Sequence, residues 1–307
     1  MERFIDGYME IRRNRLTQQA EIRLQGSSEW QRMTDTIENS LWRAMQKEGI
    51  NADLSRLHTL LTSDFVPEYH PLTDYLNTLP PWDGTSDPIG KLAAMVHTTD
   101  NSPEKFASYF RRWLVGMLAG ALDERTVNHV IFVLIGRQGS YKTSFMQNLL
   151  PPCLRRYFTT KTNSQRLGKD DLLTLSEFLL VNFEEIDTMR PTELNQLKAM
   201  TTALYIDERL PYGRNKVRLP HVASFCATGN NPLFLSDDTG NRRWLVFEVA
   251  DIDSPWEHPI DHDAVYAQAK ALLDSGFRYW FQGEEIDELN HRNRRFETPN
   301  PARELIL

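Results

Sequence analysis

Three short stretches of this sequence carry residues whose types and spacing suit chemistry on a polyphosphate. The first is GRQGSYKTS, Gly136 to Ser144, set between the apolar run Val130 to Ile135 and a helical pattern reaching Leu150. Lys142 follows Gly136 by six residues and precedes the hydroxyl of Thr143. That is the spacing of a phosphate-binding loop, whose backbone N–H groups cradle phosphate oxygens while the lysine adds a point charge and the hydroxyl serves Mg²⁺. Gly136, Gln138, Gly139, Ser140, Tyr141, Lys142, Thr143 and Ser144 are therefore the expected contacts of a nucleotide such as ATP. Tyr141 occupies the position of the motif's second glycine. A left-handed backbone there would cost about 1–2 kcal/mol, and a negative φ would cost nothing. The plainer reading is a strand–turn–helix with a surface lysine.

The second stretch, EFLLVNFEEID, ends an apolar run in Glu184 and Glu185, with Asp187 close behind. Cleavage of a triphosphate needs one carboxylate in the metal shell and another to orient the attacking water. Glu184 suits the first role and Glu185 the second. A solvated acidic turn is the alternative. The third stretch runs from SFCATGNNPLF to TGNRRWLVFEV. Asn230, with Asn231 in reserve, could sense the γ-phosphate, although Gly-Asn-Asn is also good turn chemistry. Arg242 and Arg243 precede the last apolar run, and either could act as an arginine finger on a neighbouring subunit's nucleotide. Between the second and third stretches, RLPYGRNKVRLP gathers Arg209, Arg214, Lys216 and Arg218 around a Tyr-Gly turn. A hairpin there could grip a DNA backbone through Arg214, Lys216 and Arg218 without reading bases, or could simply be solvated.

The order GRQGSYKTS, FLLVNFEEID, DERLPYGR and ATGNNPLFLSDDTGNRRW, with YLNTLPPWDG upstream, resembles the virulence-associated protein E family of P-loop ATPases. That family is similar to superfamily 3 helicases, within the AAA+ class. The resemblance spans about residues 70 to 285. It implies an Mg²⁺-dependent ATPase of phage or mobile-element origin that translocates on single-stranded DNA as a ring-shaped homo-oligomer of hexameric type in the cytoplasm of a bacterial host. On matching positions, Lys142 and Thr143 bind nucleotide and Mg²⁺, Glu184 and Glu185 form the acidic pair, Asn230 is the sensor, and Arg242 or Arg243 is the finger. Arg209 is a further candidate to reach a neighbouring site. Two departures, Tyr141 for glycine and Glu184 for the more usual aspartate, bear on rate more than on binding. The chain carries no primase motif, so a primase would be a partner or another domain.

The elements that must position these residues follow from pattern. After His129, short apolar runs (HVIFVLIG, EFLLVNFEEID, HVASFCATGN, RRWLVFEVA) alternate with helical stretches (TSFMQNLL, KDDLLTLS, PTELNQLKAMTT), the mark of an α/β layer with a central, mostly parallel sheet. The expected organisation is an N-terminal α+β region over 1–85, a helical region over 86–128, an AAA+-like P-loop core over 129–252, and a C-terminal helical segment with a tail over 253–307. A hairpin is expected within 4–24 and helical spacing within 30–61, while 88–122 reads as helix throughout. The 307 residues can bury a large core, and no apolar run reaches the length of a membrane span. Two cysteines without ligand spacing suit a reducing compartment. The formal charge of -7 confines any nucleic-acid contact to a local surface. Three other readings compete: an ATPase switch that remodels protein complexes, a DNA-binding replication scaffold that does not hydrolyse, and a phosphotransferase.

Overall fold

The computed structural model describes residues 1–162, 169–208, 216–236 and 241–299, with side chains in the second of these ranges from 172. Arg209 and Arg214 lie outside the described residues. The chain divides into two compact units, Met1–Tyr75 and Leu76–Leu307.

The first unit contains α1 (Glu2–Tyr8), β1 (Met9–Asn14), β2 (Ala20–Leu24), β3 (Gln31–Arg32), α2 (Asp35–Lys47), α3 (Leu54–Leu61) and β4 (Glu68–Tyr69). The expected hairpin is β1–β2, paired antiparallel from Met9↔Leu24 to Arg13↔Ala20, and β4 joins β1 in parallel. The residues before Met9 form a helix rather than strand, because Ile5 is needed in the core with Met9, Ile22, Leu41, Met45 and Leu57. Thr34 and Asp53 cap the two longer helices by accepting from the N–H of Ile37 and Arg56. Such caps contribute about 1 kcal/mol each. Helix α4 spans Pro71–Thr78.

The second unit continues with α5 (Pro88–Ala94), β5 (Val96–Thr98), α6 (Pro103–Leu122), β6 (Ile131–Gly136), α7 (Lys142–Gln147), β7 (Phe158–Lys161), α8 (Lys169–Glu177), β8 (Leu180–Phe183), α9 (Pro191–Met200), β9 (Tyr205–Glu208), β10 (Val217–Pro220), β11 (Ser224–Gly229), β12 (Trp244–Ile252), α10 (His262–Asp274) and α11 (Glu284–Asn293). Six strands form a mixed sheet in the order β5-β12-β6-β11-β8-β7. The pairings from β12 to β7 are parallel, and β5 pairs antiparallel with β12 at the edge. This edge strand interrupts the region expected to be helical throughout. Three residues at a sheet margin leave no periodic trace.

Central strands covered on both faces read as nearly continuous apolar runs. Every residue of β6 and β11 is buried. Ile131, Val133 and Ile135 join Val181, Phe225 and Trp244 in a core closed by Leu175 of α8 and by Leu194 and Leu197 of α9. On the other face Phe132 and Phe247 meet Phe106, Phe110 and Trp113 of α6 in a set of tilted and edge-on rings. Helix α6 is apolar nearly all round because it is buried between this face and the neighbouring helices α5 and α10.

Helix α11 is held by charge. Arg112 and Arg278 donate to the Glu285 carboxylate at 2.8 Å. The Arg112 bond, with the Arg278 bond behind it, lowers the Glu285 pKa to about 2. A depressed carboxylate contributes stability that is complete above its unfolded pKa and is lost as pH falls through the folded one. Acid titration of wild type should therefore show a loss of stability between about pH 4.5 and 2 that is missing in Glu285→Gln, read by thermal melting at each pH.

Candidate functional site

The parallel strands place the three chemistry-bearing stretches along one sheet edge. Gly136 ends β6, Phe183 ends β8 and Gly229 ends β11, and the pairings Gly229↔Ile135 and Ala227↔Phe183 hold these ends side by side. In open α/β sheets ligands bind outside the carboxyl ends of the strands, where the connections diverge. Here the chain leaves β6 for β7, β8 and β11 on one side and then crosses to β12 on the other.

The loop beyond β6 is organised by its lysine. Lys142 is only 7% exposed. Its ammonium donates to the carbonyls of Gly136 at 2.8 Å and Arg137 at 2.6 Å, and to Ser140 Oγ at 3.2 Å. Ser140 in turn donates to Arg137 O. Burial lowers the Lys142 pKa, and the negative charge of Asp187 opposes that shift. Gly136 must be glycine: a Cβ there would sit 2.5 Å from the Val249 carbonyl oxygen of the adjacent strand. Thr143 and Ser144 are half-buried on the first turn of α7, and Gln138 and Gly139 are exposed at the bend.

Tyr141 is left-handed, at φ 57° and ψ 15°, so the costly alternative considered above is the one realised. Its ring is 41% exposed and meets Trp256, itself 68% exposed, edge-on at 5.6 Å. Replacing it with glycine would relieve about 1–2 kcal/mol of strain. The same change forfeits an aromatic contact of about 0.5–1.5 kcal/mol and adds roughly 0.5–1 kcal/mol of chain entropy. These effects nearly cancel, so Tyr141→Gly should melt within about 3 °C of wild type. A larger fall in differential scanning calorimetry would mean that the Tyr141–Trp256 contact outweighs the strain.

The acidic strand end differs from its sequence expectation. Glu184 is half-buried, and its N–H donates to Lys161 O of β7 at 2.9 Å. Glu185 is exposed and left-handed, at φ 54°, so the chain turns sharply immediately after the strand. The carboxylate that turn brings back over the sheet is Asp187. Its two oxygens accept from the backbone N–H groups of Asn230 at 3.2 Å and Asn231 at 2.9 Å. Gly229 makes room for it, since a Cβ there would lie 2.6 Å from Asp187 Oδ1. Asp187 thus ties the tip of β8 to the tip of β11 and is the carboxylate whose charge acts on Lys142. The signal for it was present in the EEID run, but its place depends on the short helical turn Ile186–Thr188. Asn230 is exposed at the strand tip, and the Asn231 side chain caps its own turn by accepting from Leu233 N.

The arginine pair sits elsewhere. Arg243 O accepts from Ile131 N at 2.7 Å, at the start of β6. The six residues of β6 separate that point from the loop by about 17 Å. The two arginines line a cavity of about 490 Å³ with Arg125, His129 and Trp280 among others. Strands β9 and β10, which flank the basic stretch, pair antiparallel. Within it Arg218 is held by Asp207 through two hydrogen bonds, at 2.9 and 3.0 Å, while Lys216 is exposed. Among the described residues no cluster of three or more His, Cys, Asp or Glu side chains could hold a metal, and no helix is long and apolar enough to cross a membrane.

A mixed α/β unit with a lysine-closed turn at its strand ends is thus the class of structure defined by this chain. The virulence-associated protein E-like domain matches residues 76–298, and the chain belongs to that family. Among solved structures it is similar to the apo C-terminal region of NrS-1, residues 305–718, with a TM-score of 0.56 and 14% identity over 94% of this chain and 72% of that one. An A form of the same apo region gives a TM-score of 0.54 at 12% identity over 93% and 71%. At such identities the likeness concerns the fold. No curated protein sequence matches the chain.

Proposed function

We propose that this chain is an Mg²⁺-dependent ATPase acting as an oligomeric DNA helicase or translocase in phage or mobile-element replication. One observation carries the reading: a buried ammonium, Lys142, gathered with loop carbonyls and a hydroxyl at the ends of parallel strands, beside a carboxylate that locks two of those strand ends together. A buried charge is costly unless well paired. Lys142 would exchange its loop oxygens for the β- and γ-phosphate oxygens, and loop amides from Gln138 to Thr143 would complete the cradle. The divergence of connections at β6 supports an AAA+-like P-loop class.

The residues present suit a magnesium nucleotide. Mg²⁺ is usually held by one or two carboxylates together with phosphates and water rather than by a protein cage. Thr143 and Glu184 would hold it, and when bound it would neutralise charge on the phosphate oxygens. Glu185 would orient water, Asn230 would sense the terminal phosphate, and Asp187 would position the strand tip that carries Asn230. Arg242 or Arg243, at the opposite strand end, would serve a neighbouring copy's nucleotide in a homo-oligomer such as a hexameric ring. Arg214, Lys216 and Arg218 would face single-stranded DNA, and a primase would act beside it.

One observation favours a second reading, an ATPase switch that remodels protein complexes: Arg218, expected on DNA, is paired with Asp207. An exposed pair contributes only about 0–1 kcal/mol, so a phosphate can displace it. Steady-state ATP turnover with and without single-stranded DNA decides between them. Stimulation by DNA that is lost in Lys216→Ala supports the translocase. Turnover indifferent to DNA supports the switch, and no turnover in either condition removes both.

A further inference from the structure

The cavity at the far end of β6 has a chemistry of its own. Arg125, Arg242 and Arg243 line it, together with Tyr279, Trp280 and Phe281, and among the described residues no carboxylate lines it. In a chain with a formal charge of -7, three guanidinium groups around one cavity are a local gathering of positive charge. Trp280 is 49% exposed and stands edge-on to Tyr279 at 5.2 Å, with its indole N–H donating to Gln282 Oε1. A face of that ring therefore remains open to a planar partner. Arg125 is paired with Asp123, but the pair is exposed and readily exchanged. Arg242 is exposed and has no carboxylate partner among the described residues.

The rear wall is polar and fixed. Asn128 is buried, donating to Trp113 O and accepting from Val130 N. His129 donates through Nδ1 to Thr201 O, since a carbonyl can only accept, and this leaves Nε2 as an acceptor. Burial lowers the His129 pKa, and the positive charges of Arg243 and Arg242 act in the same direction against the backbone bond. The imidazole is thus neutral at pH 7 and adds a hydrogen-bond acceptor to a cationic cavity.

Guanidinium groups beside an open aromatic face match a ligand that is both anionic and planar. We propose that this cavity is a second nucleotide-recognising site, separate from the Lys142 loop, in which a base stacks on Trp280 while Arg125 and Arg242 bind its phosphate. The volume of about 490 Å³ suits one such unit. Free nucleotide and a unit of single-stranded nucleic acid share this chemistry. The inference does not rest on ATP hydrolysis, because the cavity lies at the strand end opposite the loop.

The test measures binding of fluorescein-labelled oligothymidylate, about ten nucleotides long, and of a fluorescent ADP analogue. Anisotropy is read at low salt for wild type, Arg125→Ala/Arg242→Ala, Trp280→Leu, Lys142→Ala and Lys216→Ala, with melting temperatures taken for each. A loss of at least about tenfold in the double variant and in Trp280→Leu supports the site, the ADP analogue being read with each cavity change placed in the Lys142→Ala background so that the loop does not contribute. Loss of the oligonucleotide alone names a nucleic-acid strand as the source, and loss of the ADP analogue alone names free nucleotide. Cavity variants that bind both probes within twofold of wild type overturn the proposal, as does a wild type that binds neither. Should a cavity variant melt well below wild type, cross-linking of iododeoxyuridine oligonucleotide to wild type replaces it. Adducts on Tyr279 or Trp280 then support the site, and adducts found only elsewhere overturn it. Failure of the ATPase reading would appear separately, as absent turnover with these binding results intact.

Discussion

Lys142→Ala should lower ATP turnover by about 10²–10³-fold, the usual effect of removing a preorganised group that meets developing charge. The effect is expected in kcat more than in the melting temperature. The bonds to Gly136 O, Arg137 O and Ser140 Oγ are lost, but Ser140 Oγ keeps its own bond to Arg137 O and the strand beneath the loop is untouched. Removing a lowered-pKa buried lysine also removes its desolvation penalty. Lys142→Arg is the informative companion. It keeps the charge, but its larger planar head cannot occupy the same space between the two carbonyls, so it should be nearly as impaired. Turnover of either variant within threefold of wild type would remove the loop from the chemistry.

The second large effect is expected at Asp187. Asp187→Ala strips the acceptors from the amides of Asn230 and Asn231 and the carboxylate charge from Lys142. Two hydrogen bonds to a charged acceptor contribute about 1.5–3 kcal/mol each, but the exposed amides regain water, so a net loss of about 2–3 kcal/mol is expected. In a unit of this size that is roughly 4–12 °C in melting temperature. Asp187→Asn separates the two contributions: it retains one acceptor oxygen without the charge. Turnover that falls as far in Asp187→Asn as in Asp187→Ala, with most of the stability restored, assigns the effect to charge. Wild-type melting and turnover in both variants would show that the link between the strand tips is dispensable.

The unequal legibility of these features has physical causes. Strands β6, β8, β11 and β12 stand out in the sequence because a strand covered on both faces reads as a nearly continuous apolar run, and their order of appearance carries the site. Strands β5 and β7 do not stand out. They are three and four residues long and lie at the two sheet margins, where polar side chains such as those of His97, Thr159 and Lys161 are tolerated. The loop lysine could be found by spacing alone, since its role depends on a local turn. The acidic assignment could not be completed that way. Neighbouring Glu184 and Glu185 look equivalent in the sequence, yet the left-handed turn at Glu185 gives them different surroundings, and Asp187 gains its partners only once β11 lies beside β8. The Asp187 contact also explains why a glycine precedes Asn230, which read alone is ordinary turn chemistry.

The placement of Arg242 and Arg243 at the opposite end of the parallel strands from Lys142 has a kinetic corollary. No bending of a single strand can bring these groups to the phosphates of their own molecule, so a catalyst that uses them is bimolecular in protein. Specific activity would then rise with enzyme concentration and saturate. Chains disabled at Arg242 and Arg243 and chains disabled at Lys142, each inert in isolation, would regain partial turnover once mixed.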